Sequence, residues 1–179
     1  MKNILLYMTL AIVSVMAFTS CEEADSEKDW GIPVIYMPQA NYDPYVVPNR
    51  GTAEQTNLNY RINEETWTLD IFLGVYRSGL QELKEYSVEV TSENAKVDGA
   101  TELSAAYYTL PEKVVCPAGK RDVTFYLSVD LDYLISNSRN NYSVGVYIFN
   151  PDGYELNPDL TFTTVLINTS ELLEKEQLL

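Results

Sequence analysis

Cys21 is the residue of this chain best placed for chemistry at a single atom. It follows one positive charge (Lys2), an apolar stretch and the short sequence Phe18-Thr19-Ser20. That is the layout of a lipoprotein signal: n-region, h-region, small residues, then a cysteine to be acylated. Ile4 to Phe18 is apolar apart from Thr9, Ser14 and the amphipathic Tyr7, a span of 15 residues. A bilayer-crossing helix needs about 20, so the run suits a cleavable h-region better than a permanent anchor. Cleavage before Cys21 would leave its thiol to carry a diacylglyceryl thioether and its amine to carry an acyl chain. Each buried methylene contributes roughly 0.8 kcal/mol, and more than one chain gives stable anchoring. The rival readings are a plain signal peptide with an incidental cysteine and an uncleaved N-terminal anchor.

Other reactive groups are few. The chain has no histidine, which excludes His-based triads, His general bases and His metal sites. With Cys21 acylated, Cys116 stands alone and no disulfide framework can form. Lying between Val115 and Pro117 in a strand-like stretch, Cys116 reads as a small buried hydrophobe rather than a nucleophile. Asp130 and Asp132 are candidate paired carboxylates for sugar hydrolysis or metal binding. Glycosidases set two carboxyls across one cleft at a defined separation, which i, i+2 neighbours rarely achieve. Helix capping by Asp130 is the better account. Asn137–Asn141 and Asn150–Gly153 offer oxygens to calcium, but without the spacing of an Asp-rich calcium loop; both read as turns. Glu64-Glu65 beside Trp67 is equally well a solvated start of a strand. The expectation is a protein that is not an enzyme, with no metal site and no cofactor.

Aromatic side chains are the surplus: 14 Tyr, 5 Phe and 2 Trp, 12% of the chain. Tyr and Trp combine a rigid apolar face with a polar tip, which suits stacking on a sugar ring or packing at a protein interface. Tyr42 and Tyr45, with Tyr36 near them, fall in a Pro-punctuated segment, Met37 to Arg50, that reads as a loop. They are the candidate ligand-binding residues. Tyr107 and Tyr108 adjoin, so on a strand they would point to opposite faces. For strand tyrosines the enrichment of Tyr in sheets is the simpler explanation.

The elements that must position these groups are strands. Val123, Phe125, Leu127 and Val129 alternate with Asp122, Thr124, Tyr126 and Ser128, the period of a strand with one buried face. Trp67, Leu69, Ile71, Leu73 and Val75 repeat the pattern against Thr68, Asp70, Phe72 and Gly74. Tyr142, Val144, Val146 and Ile148 give a third strand, with Ser143, Gly145 and Tyr147 on its other face. Weaker runs lie at Val34–Met37, Leu58–Asn63, Tyr86–Thr91, Lys113–Cys116 and Phe162–Asn168. Turn residues at Asp98-Gly99, Pro117-Ala118-Gly119 and Asn150-Pro151-Asp152-Gly153 punctuate them. Phe125 and Val146 are expected to face inward on neighbouring strands. Asp130 is expected to cap a helix over Leu131–Ile135, and Ser170 one over Glu171–Leu179, where Leu172, Leu173 and Leu179 would share a face. The second helix is too short to hold without docking.

The reading is an all-β, immunoglobulin-like antiparallel β-sandwich of about seven or eight strands with one or two short helices. Residues 1–20 are the signal, 21–31 the lipidated cysteine and tether, 32–168 the sandwich and 169–179 a short tail, helical in part. Removing residues 1–20 from the 179 leaves 159, enough for one domain burying roughly 70% of its unfolded surface. The chain carries 26 acidic and 12 basic residues, net −14. Such charge repels nucleic acid and anionic lipid, so the acyl chains must supply the membrane attachment.

The tether sharpens the address. Glu22, Glu23, Asp25, Glu27 and Asp29 fall within eight positions, opposed only by Lys28. This segment cannot bury enough apolar surface to fold, and Glu22 to Ile32 would reach on the order of 18 Å as a coil. An acidic stretch directly after the lipid cysteine is similar to the export signal of Bacteroides-type lipoproteins, with Glu22, Glu23 and Asp25 in the signal positions. The resemblance implies the outer face of the outer membrane; an ordinary hydrophilic linker is the rival.

A second resemblance covers Ile32 to Asn168. Gly74-Val75-Tyr76-Arg77-Ser78-Gly79, Tyr108-Thr109-Leu110-Pro111, Val115-Cys116-Pro117-Ala118-Gly119, Val123–Asp130 and Tyr142–Phe149 follow one another in this order. The series resembles the immunoglobulin-like domain of unknown function at the N-terminus of many Bacteroides surface lipoproteins. Such domains often precede a carbohydrate-binding, lectin-like or glycoside-hydrolase module in systems that capture polysaccharide. Here the sequence ends 11 residues after Asn168, so no second module is expected, and the family offers no catalytic residues to carry over. The resemblance and the composition together point to a non-catalytic outer-membrane surface lipoprotein, facing the cell exterior. It would act as an accessory glycan- or ligand-binding module, with the membrane (through lipid), extracellular polysaccharide or other surface proteins as partners. The second reading is a structural or adhesin-like component that docks proteins by edge-strand addition. A carboxylate-based hydrolase is a remote third.

Overall fold

Period-two alternation produces two long strand pairs, one at the centre of each sheet. The structure, a computed structural model, describes residues 32–49, 58–79 and 82–178. Cys21, Glu22, Glu23 and Asp25 therefore lie outside the described residues. In the first sheet β4 (Thr68–Arg77) and β9 (Asp122–Asp130) pair antiparallel from Thr68↔Asp130 to Tyr76↔Asp122. Leu69, Ile71, Leu73 and Val75 on one, and Phe125, Leu127 and Val129 on the other, are buried as the alternation requires. The same sheet holds β1 (Val34–Tyr36), β3 (Tyr60–Asn63), β7 (Tyr108–Thr109) and β11 (Glu155–Leu156), in the order β11-β1-β4-β9-β7 with β3 also on β4.

The second sheet is built on β10 (Asn141–Phe149), with β12 (Phe162–Ile167) and β5 (Tyr86–Glu93) antiparallel on its two sides. β2 (Tyr45–Val47), β6 (Ala100–Glu102) and β8 (Lys113–Cys116) complete it, in the order β2-β12-β10-β5-β8 with β6 also on β10. The inward residues of both sheets form one core, including Tyr142, Val144, Val146 and Ile148 of β10 and Val165 and Ile167 of β12. The fold is an all-β sandwich with, among the described residues, two short α-helices, α1 (Leu131–Ser136) and α2 (Thr169–Lys175).

Among the described residues there are twelve strands, against the seven or eight expected. The four missed ones, β2, β6, β7 and β11, are two or three residues long, and three of these four pair in parallel with a longer or equally short neighbour. Phe125 and Val146 do face inward, but from opposite sheets rather than neighbouring strands. The Met37–Arg50 loop is instead a 3-10 turn (Pro38–Asn41) followed by β2. Two of its three prolines follow cis bonds, at Asp43-Pro44 and Val47-Pro48.

The helices follow their sequence signals with one correction. Asp130 caps α1 as expected, its Oδ1 accepting from the Tyr133 N–H at 3.0 Å. The last helix begins two residues earlier than a Ser170 cap allows: Asn168 is its N-cap residue, and Thr169 is already inside it and buried. Burial decides the start, because Leu172 and Leu173 must both reach the core side, where neither retains solvent exposure. Leu179 lies outside the described residues. The helix is docked, not free: the Tyr60 hydroxyl donates to Glu176 Oε1 just past its end, and Lys175 Nζ lies 5.9 Å from the Tyr60 ring centre.

Candidate ligand-binding face

Outward positions of β4 and β9 place aromatic rings side by side. Phe72 is registered with Tyr126, and their ring centres stand 5.6 Å apart in an edge-on arrangement. Four residues further along β4, Tyr76 is registered with Tyr36 of β1, ring centres 5.3 Å apart. A rise of about 3.3 Å per residue sets Phe72 and Tyr76 about 13 Å apart along the strand. All four residues are half-buried.

Between the two aromatic pairs lies Gly74, opposite Thr124. On this edge β4 is paired with β3 as far as Ile71 and with β1 from Tyr76 onward. The intervening amides need other acceptors, because a buried N–H without one is costly. Phe72 N–H donates to the Asn59 carbonyl at 2.9 Å, and Gly74 N–H donates to Gln39 Oε1 at 3.1 Å. The 3-10 turn at Pro38–Asn41 is what brings Gln39 there. Its Nε2 stands 3.8 Å from where a Gly74 Cβ would be, so the amide occupies the gap between the rings. A planar donor amide between two aromatic shelves is an arrangement that can hold a hydroxyl-rich, flat-faced ligand.

One end of the face is fixed by charge. Asp70, only 3% exposed, accepts from Arg61 Nε and Nη2 at 3.0 Å each, Asn63 Nδ2 at 3.3 Å, Thr68 Oγ1 at 3.0 Å and Ser128 Oγ at 2.7 Å. Burial alone would raise its pKa; hydrogen bonds from Ser128, Arg61, Thr68 and Asn63 outweigh that and hold it below the usual carboxylate range. The Arg61 guanidinium in turn lies 4.6 Å above the Tyr126 ring. Tyr126 is thereby set in place from both sides, by Phe72 and by a cation.

The residues singled out by sequence are distributed differently. Tyr42 is 68% exposed just after the 3-10 turn. Tyr45 is on β2, paired with Val165 and half-buried against the core. Burial pushes its hydroxyl pKa up, with a hydrogen bond to Asn59 opposing. Only Tyr42 is thus left in a loop-like position. Tyr107 and Tyr108 do not share a strand: Tyr107 ends a 3-10 turn and Tyr108 begins β7. Tyr107 stacks on Tyr133 of α1, ring centres 3.7 Å apart and planes 18° apart. A hydrogen bond with Tyr142, then burial, pushes the Tyr133 hydroxyl up to about 12.

The candidate carboxylates are committed to the fold. Asp130 caps α1, and Asp132 Oδ1 accepts the Trp67 indole N–H at 2.8 Å. Asn137 Nδ2 donates to the Tyr133 carbonyl, and Asn150 Nδ2 reaches Glu89 Oε2 at 3.4 Å. Glu64 and Glu65 are exposed in the turn before β4. Cys116 is sealed in the core, where burial pushes its thiol pKa up. No group of three or more His, Cys, Asp or Glu suited to a metal ion occurs among the described residues. Sequence reasoning missed Phe72, Tyr76, Tyr126 and Gln39 as a set. The available signal was an aromatic ring at outward positions of two strands, where polar residues are expected.

No protein-family model matches the chain, and no curated protein matches it. Among solved structures, it is similar to a provisionally named carbohydrate binding protein from Bacteroides ovatus, at 10% identity and a TM-score of 0.46, over 75% of this chain and 36% of that one. A protein of unknown function from the same organism gives 17% identity and a TM-score of 0.47, over 75% of this chain and 44% of the other. Another Bacteroides ovatus protein of unknown function gives 14% and 0.45, over 77% and 46%. This chain spans less than half the length of each. At these identities and TM-scores none of the likenesses bears on what the chain does.

Proposed function

We propose that this protein is a non-catalytic glycan-binding module, lipid-anchored through Cys21 and displayed on the outer face of the outer membrane. The observation that carries the binding reading is the outward face of β4, where the Phe72–Tyr126 and Tyr36–Tyr76 ring pairs flank Gly74 and the Gln39 amide. Aromatic rings stack on the apolar faces of sugar rings, and a fixed amide orients the hydroxyls. Each ring contributes about 0.5–1.5 kcal/mol beyond area burial, so one site binds weakly and many anchored copies compensate through multivalency. The anchor and its display rest on the order Lys2, apolar run, Cys21 and acidic tether.

Assembly by edge-strand addition has less support. β8, at one end of its sheet, is four residues long, carries Lys113 and is followed by Pro117, features that blunt an edge. The test is retention of the purified full chain on a panel of immobilised polysaccharides, compared with Phe72→Ala/Tyr76→Ala. Binding to at least one polymer, weakened at least tenfold by the double substitution at an unchanged melting temperature, is the expected result. Retention on no polymer, or retention indifferent to the substitution, would remove the proposal.

A further inference from the structure

The charges around this face narrow the ligand further. Among the described residues Arg61 is the cation seen over these rings, and its Nε and Nη2 are both held by Asp70. Asp70 keeps its negative charge through the acid side of neutrality, since its hydrogen bonds hold its pKa low; the pair is electrically closed. Arg121, next in sequence to Asp122, turns away to donate through Nη1 to the Gly79 carbonyl. Exposed carboxylates stand around the same face. Asp122 is registered with Tyr76, Asp130 with Thr68 at the opposite end of β4, and Glu155 of β11 with Val34 at the sheet's margin. All three are exposed, and none has a salt-bridge partner among the described residues.

Resting on the glycan reading, we infer that the ligand is an uncharged polysaccharide. A uronate or sulfated polymer laid along β4 would meet carboxylates at both ends of the face and on its margin, and the guanidinium that lies over the rings is already engaged by Asp70. The net charge of −14 adds long-range repulsion to every approach of a polyanion. A neutral chain loses nothing to either term. Its binding is carried by ring stacking and by the Gln39 amide, and neither is screened by salt.

The experiment measures retention of the full chain on neutral glucan, mannan, galactan and xylan, and on polygalacturonate and heparin. Each polymer is tested at about 20 mM and about 500 mM NaCl, where screening lengths differ several-fold. The expected result is retention on a neutral polymer, unchanged by salt, with polygalacturonate and heparin bound at least tenfold more weakly at low salt. Asp122→Arg/Glu155→Arg should narrow that difference without changing retention on the neutral polymer. Stronger retention on polygalacturonate or heparin, lost in Phe72→Ala/Tyr76→Ala, would overturn the inference while leaving the glycan reading intact. Platform-dependent retention on neither class would overturn both.

Discussion

The Trp67 indole Nε1 donates to Asp132 Oδ1 at 2.8 Å, and the Trp67 carbonyl accepts the Leu131 N–H at 3.3 Å. The residue before β4 is thereby fastened to the first turn of α1, which follows β9 directly. Trp67 has a φ of 55°, a left-handed conformation costing roughly 1–2 kcal/mol for a residue with a Cβ. The backbone reversal carries the indole away from the inner face, where simple alternation would have put it, and leaves it 39% exposed. The two contacts with α1 offset the cost.

Asp132→Ala should therefore lower stability by about 0.5–1.5 kcal/mol, the net value of one hydrogen bond. Trp67→Phe, which keeps a ring but removes the donor, should cost a similar amount. In a double-mutant cycle read by urea denaturation, the second substitution should add little to the first. Fully additive effects would mean that the indole–carboxylate bond does not form in solution.

Asp70 gives the chain a pH signature. Its folded carboxyl is held below its ordinary value of 3.8, so the stability it supplies is fully present above that value and is lost as pH falls through the lower folded value. At neutral pH Asp70→Asn should cost about 1.5–3 kcal/mol, the range for hydrogen bonds to a charged group. The difference in unfolding free energy between the wild type and this variant should shrink steadily from about pH 5 to pH 2. A difference that stays constant over that range would show that the carboxylate charge is not what stabilises the site.

How much of this was legible depends on the distance over which each decision is made. The inward sets of β4, β9 and β10 follow from alternation alone, and the Asp130 cap from a carboxylate placed just before Leu131. Trp67 defeated the same alternation because a positive φ reverses the side-chain direction and leaves no mark in residue type. β2, β6, β7 and β11 are too short to show a period; they are strands only because a partner lies beside them. The ring at Phe72 was visible as an aromatic in an outward position. Its pairing with Tyr126, and the bond from Gly74 to Gln39 across 35 positions, are set by the register of the sheet.

Gly145 tests how tightly the second sheet is covered on its outward side. A Cβ there would stand 2.6 Å from the Glu93 carbonyl oxygen and 2.8 Å from Cε2 of the Phe162 ring. The first neighbour is backbone in the paired strand β5 and cannot swing aside. Gly145→Ala should thus destabilise by about 1–3 kcal/mol, the usual cost of overpacking, despite the better strand propensity of alanine. Adding Phe162→Leu should recover only part of the loss. An unchanged melting temperature for the single variant would show that β10 and β5 stand further apart than described.

Display rests on the thiol of Cys21 and the acidic residues after it. Cys21→Ser should release the protein from the membrane fraction or stall it uncleaved, because no thioether can form. Correct cleavage with retention in the membrane fraction would remove the lipoprotein reading. Neutralising Glu22, Glu23 and Asp25 to Gln, Gln and Asn should leave lipidation intact and lower protease accessibility on whole cells. Equal accessibility would leave the acidic stretch as an ordinary linker.

Phe125 and Tyr126 are chain neighbours with opposite duties, and together they test fold and function. Phe125 is 5% exposed in the core, registered with Leu73, whereas Tyr126 faces outward between Phe72 and Arg61. Phe125→Ala opens a cavity and should cost roughly 3–5 kcal/mol. Tyr126→Ala gives up one half-exposed ring and its contact with Arg61, worth about 0.5–1 kcal/mol at such sites. Polysaccharide retention should divide the other way when both variants are measured below their melting temperatures. Folded Phe125→Ala should bind as the wild type does, and Tyr126→Ala should lose severalfold. Equal losses of stability in the two variants would mean that the strand faces are assigned the wrong way round. Full retention by Tyr126→Ala would instead move the ligand off the β4 face, with the exposed ring of Tyr42 the next position to substitute.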